Sequence, residues 1–215
     1  MERDRGQFII IEGIGGAGKT TQIEFVKELL TNNKMDTVVT REPGGIAASE
    51  DIRDLIFSLR DKNLIGPEGQ TVLFFGARML WMKNLVIPYL QNGKNVVTDR
   101  CHTSTAAYQG YAEGGDLGKI EKISEVVLGK YKPDAVIFID VSAETAKKRK
   151  TDVAGDPYDK EGLDYQNRLI LGYQKMAKEN WGGIAWYSVN GENTVDQVSE
   201  EIKLILEKIF KKSFK

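Results

Sequence analysis

Residues 8–20 read Phe8-Ile9-Ile10-Ile11-Glu12-Gly13-Ile14-Gly15-Gly16-Ala17-Gly18-Lys19-Thr20. Apolar residues on consecutive positions, Phe8 to Ile11, predict a strand buried on both faces, as in a parallel sheet. From Gly13 the stretch matches G-x-x-x-x-G-K-[ST] and leads into an amphipathic helical pattern over Lys19–Thr31. That context separates a phosphate-binding loop from an incidental glycine-rich turn. Glycines let the backbone curl until its N–H groups point inward at phosphate oxygens, and the helix that follows adds its positive end. In such a loop Gly13, Gly15, Gly16, Ala17, Gly18 and Thr21 form the cradle. Lys19 reaches the β- and γ-phosphates, and the Thr20 hydroxyl binds Mg²⁺. ATP and Mg²⁺ are therefore the expected cofactors, and the phosphate acceptor is left open.

Outward from this loop, four more short apolar runs predict strands: Thr37–Thr40, Asn95–Thr98, Ala135–Ile139 and Ile184–Val189. Helical patterns separate them, over Ser49–Leu59, Gln70–Gln91, Gly118–Leu128, Ala143–Lys150 and Leu163–Lys178. A last helix starts near Thr194, with Val195, Val198, Ile202, Ile205 and Ile209 as its apolar stripe. Strands alternating with helices predict a three-layer α/β/α fold around a parallel five-stranded sheet, in one domain over residues 1–215. Functional groups should then gather at the C-terminal strand ends. Asp99 and Arg100 stand at such an end, after the third strand: a carboxylate placed to hold Mg²⁺, directly or through water, and a cation for transferring phosphates. A GTPase would carry DxxG and N/TKxD motifs, and no usable copy of either is present.

The bulk numbers agree with a small anionic ligand. The 215 residues are 41% hydrophobic and 28% charged, with a net charge of −1. No basic surplus attracts nucleic acid, and no apolar run approaches the ~18 residues of a membrane span. The lone Cys101 forms no internal disulfide, which fits a reducing compartment. The charged start, MERDRGQ, does not read as a signal peptide. A cytoplasmic location is the expectation.

Further segments, in order along nearly the whole chain, resemble the thymidylate kinases. They are Thr40-Arg41-Glu42-Pro43-Gly44-Gly45, Leu73 to Arg78 (LFFGAR), Asp99-Arg100 and Ser104 to Gly110 (STAAYQG), together with Pro133-Asp134 and Asp140-Val141. The resemblance implies transfer of phosphate from ATP to dTMP, giving dTDP and ADP. It assigns Phe74 to stacking on thymine, although core packing explains a helix phenylalanine equally well, and leaves Phe75 to the core. Arg78, one turn on, would donate to a base carbonyl. Arg53 would grip the acceptor phosphate, with Glu42 and Pro43 lining the same pocket. Ser104, Thr105 and Gln109 would enclose the base, and Tyr108 would lie below the deoxyribose. Lys19 and Arg100 would carry charge on the moving phosphoryl group.

Residues 149–164 look like a mobile lid over the ATP phosphates, with Arg149 as its foremost cation and Lys150 and Lys160 behind it. Asn167, Arg168 and Tyr173 continue the family's pattern. The resemblance also implies a homodimer, for which Leu80, Trp81, Leu85 and Tyr89 could supply the surface.

Four positions depart from the family pattern. Gly15 stands where an acidic residue is usual, near the acceptor's 3′-hydroxyl. Gly16 is not arginine. Asp156 is followed by Pro157 instead of the lid arginine. Cys101, beside His102, replaces an aromatic. A kinase for another deoxynucleoside monophosphate, such as dUMP or a modified pyrimidine, is therefore an alternative. So is a regulatory nucleotide-binding protein without transfer activity.

Overall fold

The computed structural model describes residues 5–149 and 157–214, apart from the side chain of residue 159. Five parallel strands form one sheet in the order β2-β3-β1-β4-β5. They are β1 Phe8–Glu12, β2 Thr37–Arg41, β3 Asn95–Asp99, β4 Ala135–Asp140 and β5 Ala185–Asn190. Each expected strand is present, and the first four run one residue further at the C-terminal end, so that they finish on Glu12, Arg41, Asp99 and Asp140. Apolar side chains end where the layers end, and charged groups begin there.

The unbroken apolar run of β1 is explained by its two neighbours' faces. Ile9 and Ile11 pack into one core, with Val26 and Leu30 of helix α1 (Lys19–Asn32), Leu169 and Tyr173 of α8 (Leu163–Glu179), and Ile202 of α9 (Val195–Phe210). Phe8 and Ile10 pack into a second core on the opposite face, with Trp81, Leu90 and Leu128. Successive side chains of a strand point to opposite faces, so burying both faces requires apolar residues throughout. Helix α9 begins with a capping box between Thr194 and Gln197.

Two helical regions differ from expectation. The helix expected over Gln70–Gln91 begins at Pro67 and changes character midway. Helix α3 (Pro67–Trp81) passes into a π-turn at Met82–Val86 and then into α4 (Ile87–Gln91). Pro88 supplies the reason: it has no N–H, and its ring crowds the carbonyl four residues back, so the chain widens there instead of breaking. Trp81 is not a surface residue. It is fully buried against Phe8, its Nε1–H donating to Thr40 Oγ1 at 3.1 Å, while Leu80 and Leu85 are half-buried. Of the four residues expected at that surface only Tyr89 is exposed, and other exposed apolar side chains include Leu55 of α2 (Ala47–Asp61), Val72 and Met79 of α3, and Val126 of α6 (Leu117–Leu128). The second region is Cys101 to Ala112, in which sequence periodicity marked no helix. It forms α5 (His102–Thr105), running into a second π-turn at Ala106–Ala112.

Helix α7 covers Ala143–Arg149. Lys150, Gly155 and Asp156 of the expected lid lie outside the described residues. The lid's end is described: a 3₁₀ turn at Pro157–Lys160 that leads into α8. Among the described residues no helix is long and apolar enough to cross a membrane.

Candidate active site

Strand β1 sits between β3 and β4, and the loop it opens lies at the centre of the sheet's C-terminal edge. Gly16 and Gly18 adopt φ of +87° and +94°, the left-handed region where a side chain is strained. A Cβ on Gly16 would also come within 2.3 Å of the Ala146 carbonyl oxygen. Close approach of α7 thus explains why this position is not arginine. Lys19 is buried inside the loop, its ammonium donating to the Gly13 and Ile14 carbonyls at 3.0 and 3.1 Å. Thr20 and Thr21 are exposed at the start of α1.

Beside the loop opens a cleft of about 1260 Å³, solvent at its mouth included. Residues 16–22 form one wall, and Gly191, Asn193, Thr194 and Val195, after β5, form another. Arg149 lines this cleft and donates to the Gly191 carbonyl at 2.8 Å. It therefore stands across the cleft from the loop, at the edge reached by β5. On the other side of the loop, Gly15 faces a smaller cavity with Lys147 of α7 and Lys160 of the 3₁₀ turn.

At the end of β3 the backbone ties three strands together. Glu42 N–H donates to the Asp99 carbonyl at 2.9 Å, and Arg100 N–H donates to the Ile11 carbonyl at 3.0 Å. Asp99 Oδ1 is buried with no hydrogen-bond partner. A carboxylate oxygen in that condition requires a cation or an ordered water. Arg100 adopts φ of +68°, and its guanidinium turns toward Ser104 Oγ (3.2 Å), Tyr173 Oη (3.3 Å) and the Tyr108 ring (5.1 Å to the centroid). Burial works against its charge, yet Tyr108, Tyr173, Asp99 and Glu12 hold its pKa well above the ordinary arginine value.

Behind Arg100 lies a fully buried carboxylate, Glu12. It accepts from Thr103 Oγ1 at 2.6 Å, Ser104 Oγ at 2.9 Å, Tyr173 Oη at 2.8 Å and Cys101 N–H at 3.3 Å. Sequence reasoning missed this role. The available signal was an acidic residue ending a strand that is otherwise apolar on both faces.

The second pocket, about 360 Å³ with solvent at its mouth included, lies between β2, α3 and the second π-turn. Phe74 lines it, and Phe75 instead packs in the core with the Arg78 guanidinium 4.5 Å over its ring. Both are buried on one helix, and Phe74 is the one that lines the pocket, as the resemblance implied. Arg78 is 2% exposed, with Nε 2.6–2.7 Å from both Glu42 carboxylate oxygens and Nη2 donating to Thr105 Oγ1 at 3.2 Å. Its Nη1 is buried without a partner, a donor that a ligand carbonyl would satisfy. Burial pushes the Glu42 carboxyl up, while the Arg78 charge opposes the shift. Pro43, Arg100, Ser104, Thr105, Tyr108 and Gln109 complete the expected part of the wall.

Three wall residues were not anticipated: Phe57 of α2, Cys101 and Tyr158. Tyr158 is buried, and its hydroxyl joins Gln70 Oε1 and Gln109 Nε2 at the pocket floor. Its position one residue after the missing lid arginine, in a run of mixed charge, gave no periodic signal. Arg53 does not line the pocket. Its guanidinium lies 4.4 Å from the Phe57 ring centroid, one turn outside. Cys101 faces the pocket, with its thiol pushed up by burial and by Glu42. His102 turns away to stack on Trp181 at 5.6 Å. Adjacent in sequence, the two side chains belong to different neighbourhoods.

The pocket lined by Phe74 and Arg78 and the glycine-rich loop after β1 thus lie to either side of Arg100, whose side chain is 17% exposed. The sequence model of the family described as thymidylate kinase matches residues 11–202. The chain belongs to the thymidylate kinase family. The thymidylate kinase of Francisella tularensis subsp. tularensis (strain WY96-3418) is 33% identical over 207 residues, spanning 96% of this chain and 98% of that protein. The thymidylate kinase of Thermoanaerobacter sp. (strain X514) is 36% identical over 175 residues, covering 81% of this chain and 85% of its own length. The crystal structure of thymidylate kinase from Ehrlichia chaffeensis superposes with a TM-score of 0.74 at 28% identity, covering 94% of this chain and 99% of that one. Family membership and the parallel five-stranded architecture therefore agree.

Proposed function

We propose that this protein transfers the γ-phosphoryl group of ATP to dTMP, with Mg²⁺, giving dTDP and ADP on the route to dTTP in the cytoplasm. One observation carries the reading: the partnerless Nη1 of Arg78 lines a pocket with Phe74, and that pocket opens on Arg100 beside the phosphate loop. A flat apolar ring suits a pyrimidine, and a buried donor suits its carbonyl. Thr105, Gln109 and Ser104 enclose the same space, and Tyr108 closes the floor toward the sugar.

The acceptor phosphate oxygen is already a nucleophile, so catalysis reduces to positioning and charge. Lys19 and the backbone of residues 13–18 hold the donor phosphates, and Arg149, across the same cleft, is the foremost cation on the lid side. Arg100, kept charged and braced by Ser104, Tyr173 and Glu12, lies between the two nucleotides and draws charge from the moving group. Lys147 and Lys160, flanking Gly15, supply further cations where the lid arginine is missing. Thr20 and Asp99 would hold Mg²⁺, and the partnerless Asp99 Oδ1 fits that role. When bound, the metal supplies neutralisation of charge shared between the β- and γ-phosphates. Arg53, over the Phe57 ring at the edge of the pocket, is the cation assigned to the acceptor phosphate.

Gly15 supports a second reading, in which the acceptor is a different deoxynucleoside monophosphate. With no side chain there, the cavity beside Lys147 and Lys160 is continuous with the loop. A homodimer through the neighbouring helices α2, α3 and α6 also fits, since Leu55, Val72, Met79 and Val126 would otherwise face water. The deciding experiment is ADP formation with ATP, Mg²⁺ and a panel of nucleoside monophosphates, with Arg100→Ala alongside. Rapid turnover with dTMP that the variant loses supports the reading. Preference for another monophosphate changes the acceptor, and ATP binding without turnover overturns transfer altogether.

A further inference from the structure

Arg60 lies near the end of α2, and it lines neither the acceptor pocket nor the ATP cleft. Its side chain is nevertheless only 17% exposed. Nη2 donates to Glu161 Oε1 at 2.6 Å and to Glu113 Oε1 at 3.2 Å. The guanidinium carbon sits 4.1 Å from the centroid of the Tyr158 ring. One cation thus joins three separate parts of the chain: helix α2, the end of the second π-turn and the turn that carries Tyr158. Burial alone would lower the Arg60 pKa, but Glu161, Tyr158 and Glu113 carry it above its ordinary value, so the charge is secure.

Tyr158 is the part of this assembly that reaches the acceptor. Its hydroxyl meets Gln70 and Gln109, and its ring packs edge-on against Tyr108 at 5.1 Å. On the other side it stacks with Tyr165 at 6.5 Å, and Tyr165 Oη donates to the same Glu113 oxygen that Arg60 binds. Without the guanidinium, Glu113 and Glu161 would be two half-buried carboxylates facing one another. Like charges so placed repel, and the turn has no other ion pair among the described residues to hold it. Lys160, one residue before Glu161, faces the cavity beside Gly15, so the same turn touches both halves of the site.

We infer that Arg60 is a positioning residue for the acceptor: it clasps residues 157–161 through Glu113 and Glu161, and so holds Tyr158 in the wall of the nucleoside monophosphate pocket. The inference rests on the kinase reading above for its substrate, and on geometry alone for the clasp. Arginine is required for its form, because a planar fork can bind two carboxylates while its face covers an aromatic ring. Lysine keeps the charge without the fork.

The test uses the full chain, with Arg60→Met, Arg60→Lys and Tyr158→Ala separately and Arg60→Met combined with Tyr158→Ala. Arg60→Met should raise the dTMP KM by about tenfold, weaken ATP far less, since Lys160 alone of the turn nears the donor side, and release amide-exchange protection over residues 158–161. Arg60→Lys should recover part of the loss. In the Tyr158→Ala background, Arg60→Met should have no further effect on KM, because the clasp would act on nothing. The inference is overturned if Arg60→Met leaves KM and exchange unchanged, weakens ATP equally, or adds its full effect to Tyr158→Ala. A wild type that turns over no monophosphate refutes the kinase reading alone, and the exchange measurement then still decides the clasp.

Discussion

The phosphate loop and the acceptor pocket are built in different ways. The loop is one contiguous stretch, residues 13–20, and the groups proposed to hold the donor phosphates are its backbone N–H groups and one lysine. The pocket draws on five segments that meet only in the fold: residues 42–43 after β2, α2, α3, the stretch from Arg100 to Gln109, and Tyr158. A site made of backbone depends on local conformation, which glycine spacing encodes. A site made of side chains depends on which face of each helix the core claims. The two halves should therefore fail differently when altered.

The largest expected effect falls on the pocket. Arg78→Met leaves Glu42 buried without its partner, and breaking such a pair costs about 3–5 kcal/mol. Urea denaturation should show that loss together with lost acceptor binding, while a melt of the ATP-bound form still shifts upward. A stable variant would mean that Glu42 is protonated at no cost, and the pocket less dependent on the pair than its geometry indicates.

Arg100→Ala removes the cation between the halves and should lower kcat by about 10²–10³, with both substrates still binding. Equal loss of kcat and dTMP affinity would place Arg100 with the acceptor alone.

Gly16→Ala addresses the loop. The new methyl meets the Ala146 carbonyl in a left-handed backbone, so ATP affinity should fall by about tenfold or more, the order of ~1–3 kcal/mol of backbone strain. Binding of dTMP alone, read by calorimetry, should be unaffected. Coupled losses would show that the two halves share one scaffold more tightly than the comparison holds.

The effect confined to acid pH, and absent at neutrality, concerns His102, behind the pocket. Burial, helped by Arg78 and Lys132, lowers its pKa to about 3, and its Nδ1 is buried without a partner. The folded state thus refuses a proton that the unfolded chain binds near its ordinary value of 6.5. Its contribution is fully present above that value and is lost as pH falls from 6.5 toward 3, by about 2 kcal/mol at pH 5. His102→Leu should flatten that part of the stability profile, and an unchanged slope would assign it to other groups.

Much of the fold could be read before any coordinates. Runs such as Ile9 to Ile11 and Val136 to Ile139 have the pattern that a sheet buried on both faces demands, and the five strands fall where those runs are. The helical stretch from His102 to Ala112 was hidden because its residues serve the site: Ser104 and Thr105 face polar partners, and Tyr108 and Gln109 face a pocket, so no apolar stripe recurs. The place of Trp81 stays open in the sequence because an apolar helix residue looks the same whether it faces a core or a second subunit.

Local chemistry in this chain determined the phosphate loop, the parallel sheet, the charged strand ends and the family to which it belongs. Each depends on residues close in sequence, whose spacing dictates backbone shape and burial. Only the tertiary structure decided that Tyr158 lines the pocket and that Arg53 does not. It alone turned Cys101 and His102 apart, set Glu12 behind Arg100 and brought Tyr158 under the hold of Arg60. Those outcomes follow from packing between segments as many as 161 positions apart, as with Glu12 and Tyr173. No local pattern encodes such meetings, because the burial that enforces them exists only once the layers close.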